Sequence, residues 1–133
     1  MLGNWFDNKQ AVGNAGLFYV SYTLSKRGWN VLITSRNSEG PDMIIYSNSG
    51  KESHTIQIKS SGLLNHTVNV GLKPEKFLIS EFAILCSNIK TTSPIMHIAK
   101  TSDFILHPSK GGYYIKPKEI IQFKNNFKIL GMP

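Results

Sequence analysis

Residues 40–61 read GPDMIIYSNSGKESHTIQIKSS. Two apolar runs, DMIIYS and HTIQIKS, flank NSGKE, a polar turn with Gly50 at its centre. That pattern predicts a β-hairpin. Its polar residues are placed unusually. Asp42 stands at the mouth of the first strand, and Gln57 and Lys59 lie inside the second. Side chains alternate along a strand, so Gln57 and Lys59 share one face while Ile56 and Ile58 point the other way, into a core. The hairpin brings the Asp42 end alongside that pair. A carboxylate, an amide oxygen and an ammonium then converge at one end of a sheet. A hard divalent cation seeks such oxygens, with Asp42, the Gln57 side chain and the Ile58 backbone carbonyl as candidate ligands. Lys59 would sit beside the water of such a site, to hold it, help deprotonate it, or stabilise charge developing on a phosphate. Asp42 as a loop cap, with Gln57 and Lys59 as the solvent face of an amphipathic hairpin, is the plainer alternative.

Upstream, NKQAVGNAGLFYVSYTLSKRGWN predicts a first helix. Asp7 or Asn8 can cap its start, Lys26 and Arg27 suit the C-terminal end of its dipole, and Gly28 suits a left-handed stop. Ala15, Tyr19, Tyr22 and Leu24 lie near one face. Gly13 and Gly16 weaken a helix interior, which points to close approach by another element. WNVLITS reads as a strand and SRNSEGP as a loop. Downstream, TVNVGL reads as a short strand, KPEKFLIS as either helix or loop, and FAILCS as a central strand buried on both faces. SPIMHIAK is the next strand. TSDFIL reads as a helical turn capped by Thr101 or Ser102, GGYYIKP as an edge strand, and PKEIIQFKNNFKIL as a closing helical segment with Pro117 in its first turn. One helix, a three-stranded meander and further strands with small helices imply an α/β or α+β domain with a mixed sheet.

At 133 residues one domain spanning 1–133 is expected, with enough chain to bury a core without disulfides. The single cysteine, Cys86, excludes a disulfide framework and a cysteine-based metal site. Lysine and arginine exceed aspartate and glutamate by 15 to 8, and the net charge of +7 favours a polyanionic partner, nucleic acid before anionic membrane. No apolar run reaches the length of a membrane span and the N-terminus does not read as a signal peptide, so a cytoplasmic protein is expected.

GPDMII followed by IQIKSS resembles the PD-(D/E)XK nuclease superfamily in a Gln-x-Lys variant. The likeness extends to the order of elements: a helix ending in RGWNVL, the strand after Pro41, the signature strand, then FAILC and PIMHIAK, over roughly residues 8–105. The resemblance implies a restriction-endonuclease-like fold, a central mixed sheet flanked by helices. It also implies magnesium- or manganese-dependent hydrolysis of DNA phosphodiester bonds. Asp42 matches the metal-binding aspartate, Gln57 holds the place of the second acid, and Lys59 matches the lysine. A homodimer is the expectation by analogy with small nucleases of this fold. The sequence departs from the pattern twice. Gln57 is neutral, and the helix region GNAGLFYV offers no acid, with Leu17 about where one would stand. Glu39 and Glu52 lie nearby in sequence, in a loop and a turn. A degenerate nuclease fold acting as a DNA-binding or assembly subunit is therefore the alternative function, and a structural domain the third.

Arg36, in the TSRN segment before Asp42, could touch a DNA backbone. Ser60 and Ser61 could bond phosphates or simply end the strand. Lys110, Lys116, Lys118, Lys124 and Lys128 make the C-terminal segment the most basic, a flank for phosphates or a solvated face. His54, His66, His97 and His107 show no zinc-ligand spacing, and no glycine-rich nucleotide-binding loop is present.

Overall fold

A computed structural model describes residues 8–34 and 39–133. Helix α1, Lys9–Lys26, opens on Asn8, whose side-chain oxygen accepts from the backbone N–H groups of Gln10 and Ala11. Asp7, the other expected cap, lies outside the described residues. The helix ends as the sequence indicates. Gly28 adopts a φ of 103°, with its N–H on the Ser25 carbonyl and the Trp29 N–H on the Leu24 carbonyl, a paired arrangement that satisfies two helix-end acceptors.

Strands β1 (Asn30–Ile33), β2 (Met43–Tyr46) and β3 (Ser53–Ser60) form the expected antiparallel meander. β4 (Val68–Gly71) and α2 (Pro74–Leu78) cross over to β5 (Phe82–Ser87), which pairs parallel to β3 and antiparallel to β6 (Ile95–Lys100). The mixed sheet therefore runs β1-β2-β3-β5-β6, with β5 buried on both faces along Phe82–Cys86. α1 covers one face, where Val20 and Leu24 pack on Met43, Ile45, Ile56, Ile58, Ile84 and Ile98. The other face carries Ala83, Leu85 and Ala99 under Phe77, Phe104, Ile115 and Ile120. This is the expected α/β architecture, a central mixed sheet flanked by helices.

Gly16 fits its close-approach role. A Cβ there would sit 1.8 Å from the Ser60 hydroxyl oxygen and 2.8 Å from the Ser60 Cβ, so helix and signature strand touch at this point. Gly13 has open space beside it instead.

Several local expectations need correction. Tyr22 is exposed, because the buried stripe of α1 runs Val12, Gly16, Val20, Leu24. KPEKFLIS, open between helix and loop in the sequence, is helical at Pro74–Leu78. GGYYIKP is not an edge strand: β8 (Gly112–Ile115) is the middle of a second sheet, β4-β8-β7, whose β7 (His107–Ser109) was not read from the sequence. The turn Thr101–Asp103 has no side-chain cap; the Thr101 hydroxyl instead donates to the Ser80 carbonyl at 2.7 Å. The closing segment is three short 3-10 turns, not one helix. Lys124 bridges to His97 of β6 and the Asn125 N–H bonds the Met96 carbonyl, so the chain spends part of its hydrogen bonding on the sheet edge rather than on itself. Among the described residues no helix is long and apolar enough to cross a membrane.

Candidate active site

The meander strands differ in length, and the difference creates the site. β2 pairs with β3 only from Met43↔Ile56 to Tyr46↔Ser53. The Asp42 N–H still reaches the Ile56 carbonyl at 3.0 Å, but beyond that point this edge of β3 runs on without β2. Thr34 fixes the turn into β2, bonding the Asp42 carbonyl through its N–H at 3.0 Å and the Pro41 carbonyl through its hydroxyl at 2.5 Å. The Asp42 side chain therefore projects into the gap. Its Oδ2 accepts from the Ile58 N–H at 2.7 Å and from the Gln57 Nε2 at 2.9 Å. Backbone groups alternate edges along a strand. The Ile58 carbonyl thus lies on the same open edge as its N–H.

A cavity of about 230 Å3 opens there, lined by Asp42, Ile58, Lys59 and Ser60 from the sheet side and by Lys9, Gly13, Asn14 and Leu17 from α1, with Thr34 at the turn. Burial pushes the Asp42 carboxyl above its usual range, while the Ile58 N–H and the Lys59 charge pull it part of the way back. Among the described residues the Gln57 Oε1, on the far side of the amide whose Nε2 serves Asp42, is buried without a donor, and so is the Asn14 Oδ1. A buried oxygen without a partner is costly unless something completes it. The Asp42 carboxylate and the Ile58 carbonyl at the open edge are hard oxygens of the kind magnesium and manganese take. Among the described residues no cluster of three or more His, Cys, Asp or Glu could hold a metal. The fit is thus to a weakly charged oxygen site, not to a multi-carboxylate one.

Asp42, Gln57, Ile58 and Lys59 are brought together as the sequence anticipates. Ser60 borders the same cavity and packs against Gly16. Ser61 does not join them: its N–H bonds the Cys86 carbonyl at 2.9 Å and its hydroxyl the Leu63 carbonyl at 3.0 Å, closing the strand. Arg36 lies outside the described residues. Leu17 does line the cavity, as placed, and no helix acid accompanies it. Glu39 pairs with Lys76 at 3.6 Å and Glu52 with His54 at 3.4 Å, so both acids are spent elsewhere.

Asn14 was missed. One turn of α1 before Leu17 it presents an amide to the cavity, and a search of the helix for acids passes over it. Nothing in the sequence separates it from an ordinary polar helix residue. His54 is a structural tie at the far end of β3. Its ring meets Glu81 through Nδ1 at 2.5 Å and the Leu130 carbonyl through Nε2 at 2.8 Å, and it packs edge-on against Phe82 and Trp29. It joins the hairpin to the last turn of the chain, some distance along the strand from Lys59.

No family model matches the chain, and no curated protein matches its sequence. Among solved structures it is similar to that of Hjc, a Holliday junction resolvase from the archaeal hyperthermophile Archaeoglobus fulgidus, with a TM-score of 0.63 and 11% sequence identity over 89% of this chain and 99% of that one. At that identity the likeness speaks to architecture, and the chain has the fold of that resolvase: a restriction-endonuclease-like mixed sheet with its leading helix laid over one face.

Proposed function

We propose that this protein is a metal-dependent DNA endonuclease that hydrolyses phosphodiester bonds. The observation that carries the reading is the Asp42 carboxylate held by Gln57 and the Ile58 N–H at the open edge of β3, beside Lys59, on a fold shared with a DNA resolvase. Asp42 would hold magnesium or manganese with the Ile58 carbonyl, and with the Gln57 Oε1 once that amide turns over from its present contact through Nε2; Asn14 lines the same cavity from the helix. When bound, the cation supplies Lewis acidity to the phosphodiester and to the attacking water. Lys59 positions that water and offsets negative charge as it builds on the phosphate. Ser60, which lines the cavity, would offer its hydroxyl to a phosphate oxygen. The net charge of +7 supplies the attraction to DNA. The similarity to a junction resolvase makes branched DNA the first substrate to test, and two copies would be needed to cut two strands at once.

One observation favours the second reading, a DNA-binding or assembly subunit that no longer cuts. Gln57 is neutral and its Nε2 donates to Asp42, so among the described residues Asp42 is the one carboxylate lining the site. The deciding experiment incubates the full chain with linear, nicked and four-way-junction DNA in magnesium, manganese or EDTA. Wild type, Asp42→Ala, Lys59→Ala and Gln57→Glu are compared. Metal-dependent cutting that is lost in Asp42→Ala and Lys59→Ala, with DNA binding intact in the latter, supports the nuclease. Cutting by Gln57→Glu alone supports the retired enzyme. No cutting by any of them ends the enzymatic reading.

A further inference from the structure

A second cavity, about 220 Å3, lies on the sheet face opposite α1, between the 61–67 loop, the β5–β6 pair and the C-terminal turns. Its position relative to the first site follows from strand register. Lys59 pairs with Leu85, and Leu85 pairs with His97. The three side chains form one row across three adjacent strands, so His97 is roughly 10 Å from Lys59 at the usual interstrand spacing. Leu85 and His97 both line this cavity. The loop that roofs it, with Leu64 and His66, leaves β3 directly after Ser60 and Ser61.

The lining is mixed in a particular way. Val68, Leu85, Ile95 and Ile120 give apolar walls. Ser87 and His97 add a hydroxyl and an imidazole, and among the described residues the Ser87 Oγ and the His97 Nδ1 are both buried without partners. Lys124, exposed, stands at the edge. Burial first, and then the Lys124 charge, lowers the His97 pKa, so at neutral pH its ring offers one donor and one acceptor. A purely apolar occupant would leave the hydroxyl and ring nitrogen unsatisfied, which is costly. A volume below the ~300 Å3 of typical ligand pockets suits a small flat ring system rather than a long chain. Nucleobases have that form: π-faces for apolar walls, adjacent donors and acceptors on the edge, and a phosphate alongside for a lysine.

We propose that this cavity receives an unpaired nucleobase from the DNA strand whose phosphodiester lies at Asp42 and Lys59. The inference rests on the nuclease reading for its strand, and it gives that reading a substrate class: DNA with a base free of its partner, as in a single-stranded tail, a bulge or a mismatch. Unpaired bases are the least costly to draw out of a stack. The second pocket would select them without reading sequence in a groove.

The test uses the full isotopically labelled chain and adenosine 5′-monophosphate, without metal, followed by NMR. The expected result is saturable shifts at Leu85, Ile95 and Ile120. His97→Phe, which preserves ring shape, should weaken affinity roughly three- to tenfold, the loss of one hydrogen bond. Ile120→Trp should fill the cavity and abolish binding. Single strands bearing 2-aminopurine should then change fluorescence on binding wild type and not Ile120→Trp, while salt-dependent duplex binding is the same for both. Shifts confined to Asn14 and Lys59 would overturn the proposal, as would equal competition by benzene together with unchanged affinity in His97→Phe. Because metal and cleavage are not needed for these readouts, a chain that never cuts DNA still gives a decisive answer about the pocket.

Discussion

Replacing Asp42 by asparagine should leave the metal-free protein at least as stable at neutral pH, yet remove all stabilisation by manganese. The substitution keeps shape and keeps an oxygen to accept from the Ile58 N–H at 2.7 Å and the Gln57 amide at 2.9 Å. Each bond loses its charge assistance, about 1 kcal/mol apiece from the difference between charged and neutral acceptors, or about 2 kcal/mol together. Against this, the half-buried carboxylate no longer pays for desolvation. The direction of the Asp42 shift, upward, has desolvation outweighing the Ile58 N–H bond and the Lys59 charge combined. The sign follows from linkage: between the ordinary value of 3.8 and the raised folded value the native state holds the extra proton, so stability falls as pH rises through that window. Asp42→Asn should flatten that slope. A cation at one hundred times its Kd should stabilise wild type by about 2.7 kcal/mol. For a chain of this size that is a rise of about 10 °C in Tm, at about 4 °C per kcal/mol. Thermal melts at pH 7, with manganese or EDTA, read both effects. Equal metal-induced shifts in the two proteins would refute the assignment of Asp42 as ligand. A metal-free Tm more than about 4 °C below wild type, equivalent to about 1 kcal/mol, would refute the claim that its burial dominates.

Gln57→Glu should behave oppositely with and without metal. Two carboxylates would face each other across the present 2.9 Å contact, lowering the metal-free Tm, while calorimetry should show tighter manganese binding than wild type. Gly16→Ala should destabilise despite better helix propensity, by about 1–3 kcal/mol, because the added methyl meets Ser60 at 1.8 and 2.8 Å; chemical denaturation should show most of the loss recovered by adding Ser60→Gly. The lowered pKa of His97 means that the unfolded chain takes up the proton first, so stability should fall as pH drops below the ordinary value of 6.5, and His97→Phe should remove that share of the slope in pH-dependent melts. His54→Ala should free the last turn, raising amide exchange at Ile129 and Gly131 while leaving exchange along β5 unchanged, since the ring ties Leu130 to Glu81 and Glu52.

The N-terminal two thirds of the fold was legible because its signals are local. Asn8 and Gly28 bracket α1, Gly50 sits in the hairpin turn, and the period of two in HTIQIKS sets which groups face the site. Three candidate residues, Asp42, Gln57 and Lys59, came from that same hairpin. The C-terminal third resisted for the opposite reason. Phe104 and Phe123 pack on the sheet, and Lys124 and Asn125 bond β6, so tertiary contacts choose 3-10 turns over the helix that PKEIIQFKNNFKIL suggests. β8 is central rather than peripheral because β7, only three residues long, finds it from across a tight turn. Asn14 and the His54 tie depend on partners far away in sequence, 76 residues away in the case of Leu130, and no window of sequence holds both ends.

β2 stops four residues short of the end of β3, and an unpaired strand edge is a standing invitation to another strand. Natural sheets discourage such pairing with inward-facing charge, lysine above all. In this chain the groups standing in the gap are Asp42 and Lys59. Two charged groups at this edge are of the kind that discourages a further strand. Loss of catalysis would not free these positions to drift, because an apolar residue at either would leave a bare edge ready to template aggregation. Charge at this place would serve a chain that does not cut DNA equally well, so the presence of Asp42 and Lys59 is weaker testimony to activity than the chemistry they can perform.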